Sequence, residues 1–179
     1  MTNKVFTPRF IFITSAILLA ALSRVFPHIP NFTPIAAMAL FGGAYFSDKR
    51  LAFIIPLIAM IMSDVILEVT TGWGFHNTVV YVYVAFILTS AMGLYVRNHN
   101  NVQTILAASI LSSVLFFVIT NFGVWAASGG IGGVTGLGTT YVLGIPFFAP
   151  TLLGDIFFNA ILFGAFFLAQ RRIPALIKK

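Results

Sequence analysis

Apolar residues run along this chain in long, nearly unbroken blocks, separated by short breaks that are polar or rich in glycine and proline. The blocks predict helices over about 9–26, 34–46, 51–69, 78–96, 102–127 and 147–169, with Pro56 as a kink in the third. A hydrocarbon core of about 30 Å takes roughly 20 helical residues to cross. The second block falls short, since about a dozen residues make only about 18 Å of helix. Pro27, Pro30 and Pro34 precede it, and none of them can donate a backbone N–H or continue a helix. If the chain crosses here, this irregular segment supplies part of the depth. Such backbone is tolerated in a membrane only when it is buried in protein or lines a wet cavity. Residues 27–33 are therefore expected to form the wall or rim of a pocket, with His28 and Asn31 as ligand contacts.

Composition turns the pattern into a class. Hydrophobic residues make up 59% of the 179 and charged ones 8%, against about 25% charged in soluble domains. The expected fold is an all-α integral membrane protein, a single domain over 1–179 with six transmembrane helices. The first block is not followed by a small-residue cleavage pattern and reads as a retained helix. The absence of cysteine excludes disulfides, thiolate chemistry and cysteine metal sites. The net charge of +6 comes from scattered basic residues beside apolar runs, which suits orientation in a bilayer better than nucleic-acid binding.

On the six-helix reading, Lys4, Arg9, Lys49, Arg50, Arg97, Arg171, Arg172, Lys178 and Lys179 fall on one side and Arg24 toward the other. The positive-inside rule then makes both termini cytoplasmic. Residues 128–146 become an external, uncharged, glycine-rich loop, expected as a flexible lid over the pocket. Its glycines lack the following lysine and preceding strand of a phosphate loop, which argues against nucleotide binding.

Ionisable groups inside a membrane are costly and mark functional sites. Asp64 and Glu68, Asn121 and Trp125, and Asp155 and Asn159 are three pairs four residues apart, each in the outer part of its helix. Arg24 ends the first helix, Trp73, His76 and Tyr81 surround the third turn, and Tyr141 lies in the expected lid. These residues, with His28 and Asn31, form the candidate substrate-binding set. The inner halves of the helices are apolar, which argues against a continuous channel or proton relay and for a pocket open outward. Each residue also has an ordinary structural role: the aspartates as partners of Arg24, Asn121 as an interhelical bond, the tryptophans and tyrosines as interface residues, and the histidines as solvated loop residues rather than metal ligands. No metal or cofactor is expected. Arg24 set against Asp64, Glu68 and Asp155 leans toward a neutral or cationic ligand. Ala16 and Ala20 make a flat helix surface, suited to packing within the chain or to docking a partner membrane protein.

Short helices, cytoplasmic termini, an outward pocket and the alanine motif together resemble the substrate-binding S component of energy-coupling factor vitamin transporters. More narrowly, the run from Pro30-Asn31-Phe32-Thr33-Pro34 through Phe41-Gly42-Gly43-Ala44-Tyr45 is similar to the signature of an uncharacterised family of small bacterial transport-type membrane proteins related to those components. Ser63-Asp64, Thr120-Asn121-Phe122-Gly123-Val124-Trp125, and Ile145-Pro146-Phe147-Phe148 through Leu153-Gly154-Asp155 resemble its other motifs, so that the likeness covers about residues 20–165. The resemblance implies an S-component-like bundle in a bacterial cytoplasmic membrane that captures a vitamin or similar micronutrient, cobalamin or a relative first among them. It implies that Ala16 and Ala20 dock a transmembrane coupling protein driven by two cytoplasmic ATPases, although solitary members exist. The cysteine that solitary cobalamin carriers place near cobalt is missing here, and His76 is the one stand-in. The rival readings are a proton-coupled secondary transporter and an intramembrane enzyme using Asp64 and Asp155 as an acid–base pair. The residues around both aspartates lack the Tyr-Asp and Gly-x-Gly-Asp contexts of membrane aspartyl proteases.

Overall fold

A short helix with no exposed face sits at the centre of the molecule. The computed structural model describes residues 6–177 and is all-helical, with no strand among the described residues. Its helices are α1 (Pro8–Ser23), α2 (Ile35–Tyr45), α3 (Lys49–Thr71), α4 (Val79–Asn98), α5 (Val102–Ala127) and α6 (Gly133–Arg172), followed by a single 3-10 turn at Pro174–Leu176. Helices α3 to α6 are long and apolar enough to cross a bilayer, and the chain is a multi-pass membrane protein on that ground. Helices α1 and α2, with 16 and 11 residues, are shorter than a straight span requires.

Every residue of α2 from Ala36 to Tyr45 is buried, and all five other helices pack against it. A helix that is apolar all round belongs in such a position. Its small residues permit close approach: a methyl group built on Gly43 would lie 2.7 Å from Gly93 Cα of α4, and one on Gly93 equally close to Gly43 Cα. Backbones can touch there only because neither residue has a side chain. Gly42 lets the ring of Pro56, inside a continuous α3, come similarly close to the α2 backbone.

The C-terminal end of α2 faces the basic end of the bundle. Arg97 Nη2 donates to Gly43 O at 2.8 Å, and Arg9 donates to Tyr45 O at 3.1 Å and to Leu176 O at 2.9 Å. Two guanidinium groups thus satisfy carbonyls that the last turn of a helix leaves open, and their charge suits its negative dipole end. Lys49, Arg50, Arg171 and Arg172 begin or end their helices at this same end of the fold. Lys4, Lys178 and Lys179 lie outside the described residues.

The remaining ends are set locally. Thr7, Asp48 and Asn101 cap α1, α3 and α5 by accepting from backbone N–H groups. Gly72 closes α3 in the left-handed region at φ 72°, where glycine carries no Cβ penalty.

One expectation is overturned. Residues 128–146 are not an external loop: the connection is short, and α6 begins at Gly133 and runs 40 residues through Pro146 and Pro150. Glycine weakens a helix by about 1 kcal/mol but does not forbid it. The glycines here are interspersed with apolar residues, and the helical ladder, broken only where Pro146 and Pro150 have no N–H to donate, satisfies their backbone groups where water is scarce. The first helix is also shorter than expected, ending at Ser23 with Arg24 as its cap.

Candidate functional site

At the end of the bundle opposite those arginines, the helices part around a cavity of about 410 Å³. The proline segment contributes Asn31 and Thr33, and α2 presents its first turn, Ile35 and Ala36. Trp73, Gly74, His76 and Thr78 come from the α3–α4 turn, and Asn121, Gly144 and Thr151 from α5 and α6. Deepest along their helices stand Met60, Asp64, Phe116 and Asp155.

Asn31 adopts φ 64°, the one described non-glycine residue in the left-handed region. Asparagine is among the few side chains that tolerate this conformation. The proline segment is thereby turned so that its backbone meets α6 at Gly154, where an added Cβ would lie 3.1 Å from Thr33 N.

Two carboxylates face the cavity, with different surroundings. Asp64 is buried and fully engaged. Arg24 Nη2 pairs with its Oδ1 at 2.7 Å, and the Tyr83 hydroxyl donates to Oδ2 at 2.6 Å. The guanidinium also donates to Ser63 Oγ and meets Met60 Sδ at 3.2 Å. Asp155, 2% exposed, accepts from Ser113 Oγ at 2.6 Å on Oδ2, and Oδ1 has no hydrogen-bond partner among the described residues. Arg24–Asp64 is the one ion pair among the described residues. No hydrogen bond joins the two aspartates, so they do not form a proton-sharing pair.

One turn from Asp155 toward the basic end, Asn159 Nδ2 donates to Ser109 Oγ at 3.0 Å. The residues at 109 and 113 of α5 and at 159 and 155 of α6 thus form two successive polar rungs between antiparallel helices. Among the described residues, no three His, Asp or Glu side chains gather as metal ligands would.

A family model described as "Family of unknown function (DUF6580)" matches residues 4–176. The chain belongs to this DUF6580 family. No curated protein and no solved structure matches it.

In this DUF6580 member the cavity unites Arg24, Asn31, Asp64, Trp73, His76, Asn121 and Asp155 from the sequence-derived set. The other expected site residues are not on its wall. His28 is exposed, with Nδ1 2.7 Å from the carbonyl of Phe26. Glu68 Oε2 accepts from the N–H groups of Gly74 and Phe75 at 3.0 and 2.9 Å, shaping the turn that carries Trp73 and His76. Tyr81 packs against Gly123, and Trp125 packs against Gly130. Tyr141 donates to Val118 O at 2.7 Å and holds the start of α6 against α5. Asn159 belongs to the second polar rung. Ala16 and Ala20 line a separate apolar groove of about 780 Å³ between α1 and α6, with Phe158 and Ile161 opposite.

Sequence reasoning missed Tyr83 and Ser113, the partners of the two aspartates. Ser109 and Ser113 carried a signal: polar residues four apart in the middle of an apolar helix, matching the spacing of Asp155 and Asn159. Tyr83 carried none beyond Tyr81, because the rotation of α4 decides which tyrosine faces Asp64.

Proposed function

We propose that this protein is a membrane-embedded, substrate-binding and translocating subunit for a vitamin or similar micronutrient, of the kind its sequence resembles in S components. The supporting observation is the one-ended cavity: polar and aromatic groups converge at one end of the bundle, and the opposite half is a packed apolar core around α2. A cavity of about 410 Å³ lies in the lower part of the roughly 300–1,000 Å³ range of small-molecule sites, which favours a compact vitamin over a cobalamin-sized one. The separate partners of Asp64 and Asp155 favour binding over acid–base catalysis by the pair.

In this reading all six helices sit in a bacterial cytoplasmic membrane, with the basic end and both termini inside and the cavity open to the outside. The groove beside Ala16 and Ala20 is the docking face for a transmembrane coupling protein driven by two ATPases, for members that use one.

The test is mass spectrometry of small molecules that co-purify with the protein, together with thermal shifts against a broad vitamin panel. A retained micronutrient, or one bound at submicromolar concentration, is the expected result. An empty protein that responds to no vitamin sinks the proposal.

A further inference from the structure

The two carboxylates of the cavity carry unequal charge balance. The guanidinium of Arg24 cancels the charge of Asp64, and both Asp64 oxygens are occupied. The remaining titratable group on the wall besides Asp155 is His76, half-buried at the turn, with Nδ1 2.8 Å from Thr78 Oγ1. Glu68 is spent on the backbone of that turn. Asp155 therefore stands without a counter-charge among the described residues, almost wholly buried, with one oxygen held by Ser113 and the other without a hydrogen-bond partner among them. Ionising a group in this state is costly, and a counter-charge that arrives with a ligand offsets the cost. The rings of Phe116, Phe117 and Phe147 line the same space, and aromatic faces attract cations that have shed water.

Resting on the micronutrient-binding reading, we infer that the substrate is a small organic cation whose positive group sits on Asp155 Oδ1, with the Arg24–Asp64 pair acting as an electrically neutral wall. An ammonium or amidinium forms a charge-assisted hydrogen bond there, and a quaternary nitrogen pairs with Asp155 and the rings without one. Ser113 is a positioning residue: its hydroxyl fixes Oδ2 and leaves Oδ1 for the ligand.

The experiment uses the full-length protein in lipid nanodiscs and measures binding of two permanent cations (thiamine and choline), two neutral vitamins (riboflavin and pyridoxine) and two anionic ones (biotin and pantothenate). A cation is expected to bind, and Asp155→Asn is expected to weaken it by roughly tenfold to a hundredfold. Should Asp155→Asn not fold, the wild type decides: each cation is compared with its neutral isostere, deazathiamine for thiamine and the carba analogue for choline, and the isostere is expected to bind more weakly by a similar factor. Preference for a neutral or anionic vitamin overturns the inference and leaves the micronutrient reading standing; an anion would use the uncapped N-terminus of α2. Cation binding that is indifferent to Asp155→Asn or to the isostere exchange also overturns it. If no probe binds and nothing co-purifies, both readings fall together.

Discussion

Arg24 at the end of α1 and Asp64 in α3 meet at 2.7 Å beside the cavity, and both side chains are buried. Removing one member leaves an uncompensated charge, which costs about 3–5 kcal/mol in buried pairs. Arg24→Met is therefore expected to lower thermal stability strongly. The double variant Arg24→Met/Asp64→Asn should recover most of the loss, because an amide still accepts from Tyr83. Unfolding midpoints in one detergent compare the three proteins. A double variant as unstable as Arg24→Met would assign the cost to lost packing of the arginine stem instead.

Gly43 and Gly93 allow α2 and α4 to touch backbone to backbone. Gly43→Ala or Gly93→Ala must push these helices apart, an overpacking cost of about 1–3 kcal/mol. Gly164, also helical, has no neighbour within 4 Å of an added Cβ, and Gly164→Ala should be neutral or stabilising by up to about 1 kcal/mol. Thermal unfolding of the three variants side by side reads the contrast. Equal effects at all three positions would mean that propensity, not contact, sets the result.

The chain contains no cysteine, so single substitutions report orientation without background labelling. Ser128, between α5 and α6, and Asn98, at the end of α4, are exposed at opposite ends of the bundle. On intact cells an impermeant maleimide is expected to label Ser128→Cys directly and Asn98→Cys only after permeabilisation. The reverse pattern would turn the cavity toward the cytoplasm and contradict the proposed direction of capture.

Much of the fold was legible in hydrophobicity alone, because a bilayer imposes helices on any apolar run that enters it. The block at 34–46 announced itself as too short to span, and α2 is correspondingly a core helix wrapped by the others. The length of α6 was not legible: glycines at 129–138 and prolines at 146 and 150 read as breakers. Among packed helices, however, a helix that loses a bond at each proline still satisfies more backbone than an open loop would. At the site, the depth of Asp64, Asn121 and Asp155 could be counted along their helices, and the three line one cavity. Tyr81, Trp125 and Asn159 lie at suitable depths but on other faces. Rotation of a helix about its axis is decided by packing partners, which a single sequence does not reveal.

The cavity reaches along α6 from Gly144 to Asp155, about 16 Å of helix. Its mouth lies beside the exposed ring of Trp73, and at its bottom Asp155 is enclosed by protein. Two unit charges about 4 Å apart attract by about 1 kcal/mol in water and about 4 kcal/mol in a partly shielded protein site. A molecule entering this space therefore descends a dielectric gradient, and the bottom reads its charge several times more strongly than the mouth. On the proposed reading, entry is permissive and retention selective, so discrimination among ligands falls chiefly on the rate of escape.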